Sequence, residues 1–263
     1  LFQVLLAKRM GKKNLICESG AGQHYSATAA VAAKFGIPLI GVMGEVDIKR
    51  VNQNIIKAKH YGAKLKAVPG TLKEAITDAI KTWITNPDYY YVCGSAVSSF
   101  PFPKIVQFAQ SIIGREIREQ CLEQEKKLPN MIIGCVGGGS NFIGSIHEFL
   151  DETSIKKIGV EAAETAALTH GTPNIMQGMK SYMLASSDGS KSLGGSSLGA
   201  GIQYFGVGPQ HSYLKDQGAV TYTSATDKEI LNAYKVVAQS EGISSALEPM
   251  AAAAEVLKQA KGK

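Results

Sequence analysis

The stretch Met131-Ile132-Ile133-Gly134-Cys135-Val136-Gly137-Gly138-Gly139-Ser140-Asn141-Phe142-Ile143-Gly144-Ser145-Ile146-His147-Glu148-Phe149-Leu150 decides the fold. Residues 131–136 form an apolar β-type run, three glycines follow, and from Phe142 the apolar residues recur at helical spacing. This reads as a strand, a glycine turn and a helix. Glycines let the backbone approach a ligand closely, and Ser140, Asn141 and the free N–H groups of the first helical turn aim donors at one spot. A phosphate suits that spot, although the same residues also make a plain tight turn with an Asn cap. A dinucleotide fits less well, because G-x-G-x-x-G needs glycine at position 142, which is Phe142.

Outward from this point, short β-type runs alternate with helical stretches. In the first half the expected strands are 14–17, 38–42, 64–68 and 89–92, with helices over 26–35, 49–61 and 72–83 between them. A long amphipathic helix over 105–125 leads to strand 131–136, helix 141–150 and strand 156–160. Parallel strands crossed by helices give an α/β fold. The expected division lies near residue 110, with a mobile part over about 11–94 hinged near Gly11 and Gly94. Residues 185–210 are rich in Gly and Ser and too long for a simple connector, so they either move or line a site. The chain closes on an alanine-rich helix from Leu247 to Lys263.

With 263 residues and 44% hydrophobic content, the chain can bury a substantial core in one large or two smaller domains. No apolar stretch reaches the roughly 20 residues of a membrane helix, and no signal-peptide order opens the chain, so a cytoplasmic setting without membrane is expected. The net charge of +6 sits on scattered lysines and short pairs without interleaved aromatics, which argues against nucleic acid. Cys17, Cys93, Cys121 and Cys135 stand singly; they read as buried reduced thiols, with neither zinc spacing nor a disulfide framework. His60, His147 and His170 are isolated and receive no role, and Trp83 with Tyr89-Tyr90-Tyr91 reads as packing away from any site.

A second cradle stands earlier in the chain. Glu18 ends the first strand, and Ser19-Gly20-Ala21-Gly22-Gln23-His24 leads into the next helix. Hydroxyl, amide and backbone donors there suit a carboxylate, with Glu18 at hand for proton transfer. Taken alone, the same residues describe an exposed acid beside a flexible turn.

Both cradles together, in order with Leu5-Leu6-Ala7-Lys8-Arg9-Met10-Gly11-Lys12, Pro101-Phe102-Pro103, Gly159-Val160-Glu161, Gly206-Val207-Gly208-Pro209-Gln210-His211, Glu241-Gly242-Ile243 and Ala246-Leu247-Glu248, make the chain resemble the tryptophan synthase β family of fold-type II pyridoxal-phosphate enzymes. The resemblance implies two three-layer domains with twisted parallel sheets, residues 1–110 being part of the N-terminal one and 111–263 the cofactor-phosphate-binding one. It implies a lyase in tryptophan biosynthesis that uses pyridoxal 5'-phosphate to replace the hydroxyl of L-serine by indole. Matching positions give Gly137, Gly138, Gly139, Ser140 and Asn141 to the cofactor phosphate and Glu248 to the side of its ring. Ser19, Gly20, Ala21, Gly22, Gln23 and His24 fall to the substrate carboxylate, and Glu18 to acid/base catalysis. Arg50 and Gln203 match the pair that closes the site, and carbonyls of Gly137, Tyr204 and Gly206 match a monovalent cation site for Na+ or K+. A homodimer and an α chain as partner are further implications.

Departures from the family pattern accompany the resemblance. The family's Schiff-base lysine falls ahead of Leu1, so the chain as given is expected to be inactive alone. Gln203 replaces an aspartate, Tyr25 replaces a glycine, and the runs Val68-Pro69-Gly70-Thr71 and after Ala163 are short. Two alternatives stay open: a non-catalytic relative, and a dinucleotide-dependent oxidoreductase with Glu161 as the ribose-binding acid.

Overall fold

The computed structural model describes residues 1–186, 193 and 195–260. The last three residues of the expected terminal helix, and residues 187–192 and 194 of the expected long loop, lie outside the described residues. The chain divides into two compact units, Leu1–Gly94 and Ser95–Lys263. The division comes ahead of the expected one, because residue 110 falls inside one continuous helix, Phe102–Glu125.

The first unit runs α1 (Phe2–Arg9), β1 (Asn14–Glu18), α2 (Gln23–Phe35), β2 (Leu39–Gly44), α3 (Glu45–Ile48), α4 (Asn52–His60), β3 (Lys64–Val68), α5 (Leu72–Thr85) and β4 (Tyr89–Tyr91). Its sheet has the order β3-β2-β1-β4, all parallel. One side is covered by α1, α2 and α4 through Val4, Ala7, Ala29, Ala32, Ile55 and Ala58, while α5 packs on the strands. The helix expected over 49–61 is present as α4 but starts three residues late, at Asn52, because a separate short helix, α3, ends just ahead of it. Asp47 takes a hydrogen bond from Arg50 at 2.7 Å, which closes α3, and Val51 with φ −132° starts α4 afresh.

Tyr25 is fully buried. Its ring lies over Gly41 of β2 so closely that a Cβ there would come within 2.2 Å of it. The strand glycine is what admits the ring, and the pair makes the sheet-to-α2 contact tight at this point.

The second unit continues with α6 (Phe102–Glu125), β5 (Met131–Cys135), α7 (Ser140–Ile146), β6 (Lys156–Ala162), α8 (Ala167–His170), β7 (Thr172–Met176), β8 (Met179–Met183), α9 (Pro209–Asp216), β9 (Thr221–Ala225), α10 (Asp227–Glu241) and α11 (Glu248–Ala260). Its parallel sheet has the order β5-β6-β9. Two cores flank it. One joins Ile132, Phe142, Ile143, Ile146, Phe149 and Leu214, and the other joins Ile158, Val160, Ala225, Ile230, Met250 and Ala254. This is the layered α/β arrangement that the alternating pattern implied.

A hairpin of β7 and β8 was not expected. Gln177 at φ 46° and Gly178 at φ 78° form its two-residue turn, the sign of φ that such turns need to match strand twist. Pro173 in the first strand lacks an N–H for the ladder, which suits the two-stranded, edge-only character of this hairpin.

Glu161, at the end of β6, has a structural post. Its Oε1 accepts from the N–H of Leu168 at 2.8 Å, and its Oε2 from the N–H and hydroxyl of Thr169 at 2.9 and 2.8 Å. The carboxylate thus caps the first turn of α8 and is spoken for within the protein, which removes the ground for treating it as a ribose ligand. Burial raises its pKa to about 7 despite these donors and the nearby Lys215.

Two expected outcomes follow from this packing. Because the folded pKa of Glu161 lies above the ordinary carboxylate value of 4.5, its contribution to stability is full below pH ~4.5 and is lost as pH rises through about 7, by at most about 3 kcal/mol. Urea midpoints across that window should fall with rising pH in the wild type and fall less in Glu161→Gln. Gly41→Val should destabilise the first unit by about 1–3 kcal/mol through overpacking against Tyr25, read as a lower thermal midpoint; an unchanged midpoint would show that the ring can move aside.

Candidate active site

The glycine turn after β5 has a separate steric reason at each position. A Cβ on Gly137 would come within 2.9 Å of the Gly201 carbonyl oxygen and of Ile202 Cα. One on Gly138 would lie 2.0 Å from the Ser95 hydroxyl, and one on Gly139 2.1 Å from His211 Nε2. Gly139 also has φ 92° and is the residue that starts α7, a conformation that side chains resist. Within the described residues the N–H groups of Gly138, Gly139, Ser140 and Asn141 have no protein acceptor. Such a row of donors at a helix start, with no side chain on three successive residues, fits a phosphate group.

The carbonyls of the same turn are tied from the other direction. The N–H of Gly208 donates to Gly138 O at 3.1 Å, and the N–H of Ile143 donates to Gly139 O at 3.0 Å. His211 Nε2 lies 2.7 Å from Gly139 O, and His211 Nδ1 lies 2.8 Å from the Tyr222 hydroxyl. A carbonyl can only accept, so Nε2 carries the proton and Tyr222 donates to Nδ1. His211 is fully buried, and burial pushes its pKa down to about 4, which keeps the ring neutral at pH 7. The sequence drew attention to His211 only as part of the run 206–211; its place beneath the turn depends on tertiary packing.

Around the turn, Asn141 Nδ2 donates to Cys135 Sγ at 3.4 Å. Glu248 begins α11 and accepts the N–H of Gly201 at 2.8 Å. Gly137 packs against the same 201–202 segment, so the turn and Glu248 border one stretch of chain. Tyr204 and Gly206 flank Phe205, whose carbonyl accepts from Leu184 at 2.7 Å. Gln203 ends the 3₁₀ turn Ala200–Ile202. Cys17 and Cys93 are buried thiols as expected, whereas Cys121 and Cys135 are half-buried, Cys135 because it ends its strand at the turn.

In the first unit the second cradle is built the same way. The backbone of Ser19 is tied to β2 by donation to Val42 O at 3.1 Å. Gly22, at φ 76°, precedes α2, and Asn54 Nδ2 holds the Ala21 carbonyl at 2.9 Å. A Cβ on Gly22 would come within 2.8 Å of Asn54. Within the described residues the N–H groups of Ala21, Gly22, Gln23 and His24 have no protein acceptor. His24 Nε2–H donates to Val92 O at 2.8 Å, and its ring covers Gly94.

Glu18 is only 5% exposed, and its Oε2 is buried without a hydrogen-bond partner. The strand-end acid is therefore not the exposed group that its position alone allowed. Burial raises its pKa from the ordinary carboxylate value, while His24 and the Tyr91 hydroxyl pull against that shift. Tyr91 comes to Glu18 because β4 runs parallel beside β1, with Ile16 opposite Tyr91. Reading the tyrosine run as mere packing missed this contact, since only the strand order reveals it. Arg50 donates to the buried Asp47 in its own unit.

Among the described residues no three His, Cys, Asp or Glu side chains gather as a metal site, and no helix is long and apolar enough to cross a membrane. The model of the family described as pyridoxal-phosphate dependent enzyme matches residues 1–263. The tryptophan synthase beta chain of Allorhizobium ampelinum (strain ATCC BAA-846 / DSM 112012 / S4) is 46% identical over 272 residues, covering 99% of this chain and 67% of that protein. That alignment is longer than the 263 residues of the chain, so the relative has internal residues that this chain skips. On this match, and on a glycine turn shaped for a phosphate, the chain belongs to the pyridoxal-phosphate dependent enzyme family and is a homologue of tryptophan synthase β chains.

Proposed function

We propose that the chain supplies the cofactor and substrate cradles of a β-replacing enzyme, one that exchanges the hydroxyl of L-serine for indole to give L-tryptophan and water with pyridoxal 5'-phosphate as cofactor. The carrying observation is the turn at 137–141, where free N–H groups stand over three glycines that leave no room for any Cβ. Those residues would hold the cofactor phosphate, and Glu248 would stand beside its ring. When bound, the cofactor supplies an electron sink that lets bonds at the amino acid's α and β carbons break. Gly137, Tyr204 and Gly206 would offer carbonyls to a monovalent cation.

The chain's own residues supply the rest. Free N–H groups at 21–24 and the positive end of α2 favour a carboxylate, and so orient the amino acid. Ser19 and Gly20 complete that loop. Glu18, buried at the mouth of this loop with its pKa raised by that burial, would in its protonated form give its proton to the departing hydroxyl, which leaves as water. The resulting carboxylate then takes a proton from indole as the new carbon–carbon bond forms, which restores the acid. The Tyr91 hydroxyl bonded to Glu18 orients it for both transfers. Serine, indole and an α-chain partner are the molecules this reading brings to the protein. The first unit's residues 11–94, a set of short βα layers, would shift as substrate enters.

Two variants of the full-length protein test the reading. Glu18→Ala should retain the cofactor's absorbance while tryptophan formation falls by at least about a hundredfold, the lower range for a positioned proton-transfer group; near-normal turnover would take Glu18 out of the mechanism. Gly138→Val should abolish cofactor binding, since its side chain would overlap the Ser95 hydroxyl and fill the cradle. Undiminished affinity for pyridoxal 5'-phosphate in that variant would overturn the phosphate assignment.

A further inference from the structure

We infer that His211, with Tyr222 behind it, is a positioning residue that aims the backbone donors of the glycine turn at the cofactor phosphate. This rests on the phosphate reading of residues 137–141 and adds to it the part that holds them in aim.

Peptide units are planar and trans, so a carbonyl and the following N–H point in opposite directions; the only cis bond among the described residues is Phe100-Pro101. Fixing a carbonyl behind the turn therefore fixes an N–H in front of it. Gly208 N–H ties the Gly138 carbonyl, which directs the N–H of Gly139. His211 Nε2–H ties the Gly139 carbonyl, which directs the N–H of Ser140. Gly208 and His211 both belong to the start of α9, Gly208 as the residue before it. One helix start thus holds two successive peptides of another.

The imidazole is itself over-determined. Phe142 stacks on it at a centroid distance of 5.9 Å with planes 9° apart, and Tyr222 meets it edge-on at 5.8 Å. The Gly139 carbonyl, which can only accept, selects the tautomer that donates from Nε2, and the Tyr222 hydroxyl at 2.8 Å satisfies Nδ1 by donating to it. Burial holds the ring neutral, so that tautomer persists at working pH. A Cβ on Gly139 would occupy the place of Nε2, so this glycine serves the ring as much as the ligand. The result is a directed chain from Tyr222 O–H through His211 and the Gly139 peptide to the Ser140 N–H. Each bond in such a chain polarises the next and strengthens the last donor. An apolar residue of similar size would fill the volume under the turn without supplying that direction.

The experiment compares two cofactor forms on the full-length protein: pyridoxal 5'-phosphate, and pyridoxal, which lacks the phosphate. Dissociation constants for both are measured by absorbance for wild type, His211→Leu, His211→Gln and Tyr222→Phe, with urea midpoints checking that each is folded. His211→Leu should weaken pyridoxal 5'-phosphate by about tenfold, the scale of one lost hydrogen bond, while pyridoxal changes by less than about twofold. His211→Gln, which keeps an N–H donor near the Nε2 position, should recover most of the loss, and Tyr222→Phe should show a smaller loss of the same kind. Equal weakening of both forms, or no weakening of either, overturns the inference. Should His211→Leu fail to fold, Tyr222→Phe decides: an unchanged ratio of the two affinities overturns it. If Gly138→Val keeps full affinity for pyridoxal 5'-phosphate, the phosphate reading itself falls and takes this inference with it. If Gly138→Val loses the cofactor while His211→Leu keeps the wild-type ratio, the phosphate reading stands and only the role of His211 falls.

Discussion

Backbone N–H groups without protein acceptors, held in place by ties to the carbonyls behind them, are the constraint on which both cradles depend. At the end of β5 the ties come from Gly208, Ile143 and His211; at the end of β1 the tie comes from Asn54, which holds the Ala21 carbonyl, while one step earlier the Ser19 N–H donates to Val42 O. A donor left open in a folded protein is tolerated where water or an anion can reach it. What keeps such a segment from collapsing onto itself is that its acceptors are already engaged. Within each unit the parallel sheet matters for the same reason, because it brings that unit's strand ends and helix starts to one edge, where ligands of open α/β sheets gather.

Much of this was legible in the sequence because it rests on local signals. Strands at 14–17, 64–68 and 131–136 and the helices between them follow from runs and periods of apolar residues, and each agrees with the structure to within a residue or two at most junctions. The glycine turn declared itself by composition alone, and Gly36-Ile37 and Gly62-Ala63 marked helix ends where the chain does turn. Ordered motifs along the whole length then gave the family, which the match over residues 1–263 shows.

What was not legible depends on which segments become neighbours. Tyr91 looked like one of three aromatic strand residues; only the parallel pairing of β4 with β1 brings it to Glu18. His211 looked like the end of a motif, and only the docking of α9 against the turn gives it a partner in Gly139. Glu161 stood at a plausible distance from the glycine turn for a ribose ligand, yet the start of α8 takes both its oxygens. The late start of the helix expected over 49–61 has a similar origin: the ion pair between Asp47 and Arg50 ties the first residues of that range to the end of α3, and α4 begins only at Asn52. Periodicity reports which face of an element is buried, and it is silent on what that face meets.

The fit of Tyr25 over Gly41 bears on how such a sequence could have been reached. The two positions share one volume, so their substitutions are not independent. An ancestor with glycine at position 25 could carry a side chain at position 41, but a tyrosine could enter only after position 41 had lost its Cβ. The reverse path is ordered too: enlarging position 41 first drives a side chain into a ring. Sequences that differ at these two sites should therefore differ at both, and a chimaera that exchanges β2 without α2 would inherit a clash or a void that neither parent contains.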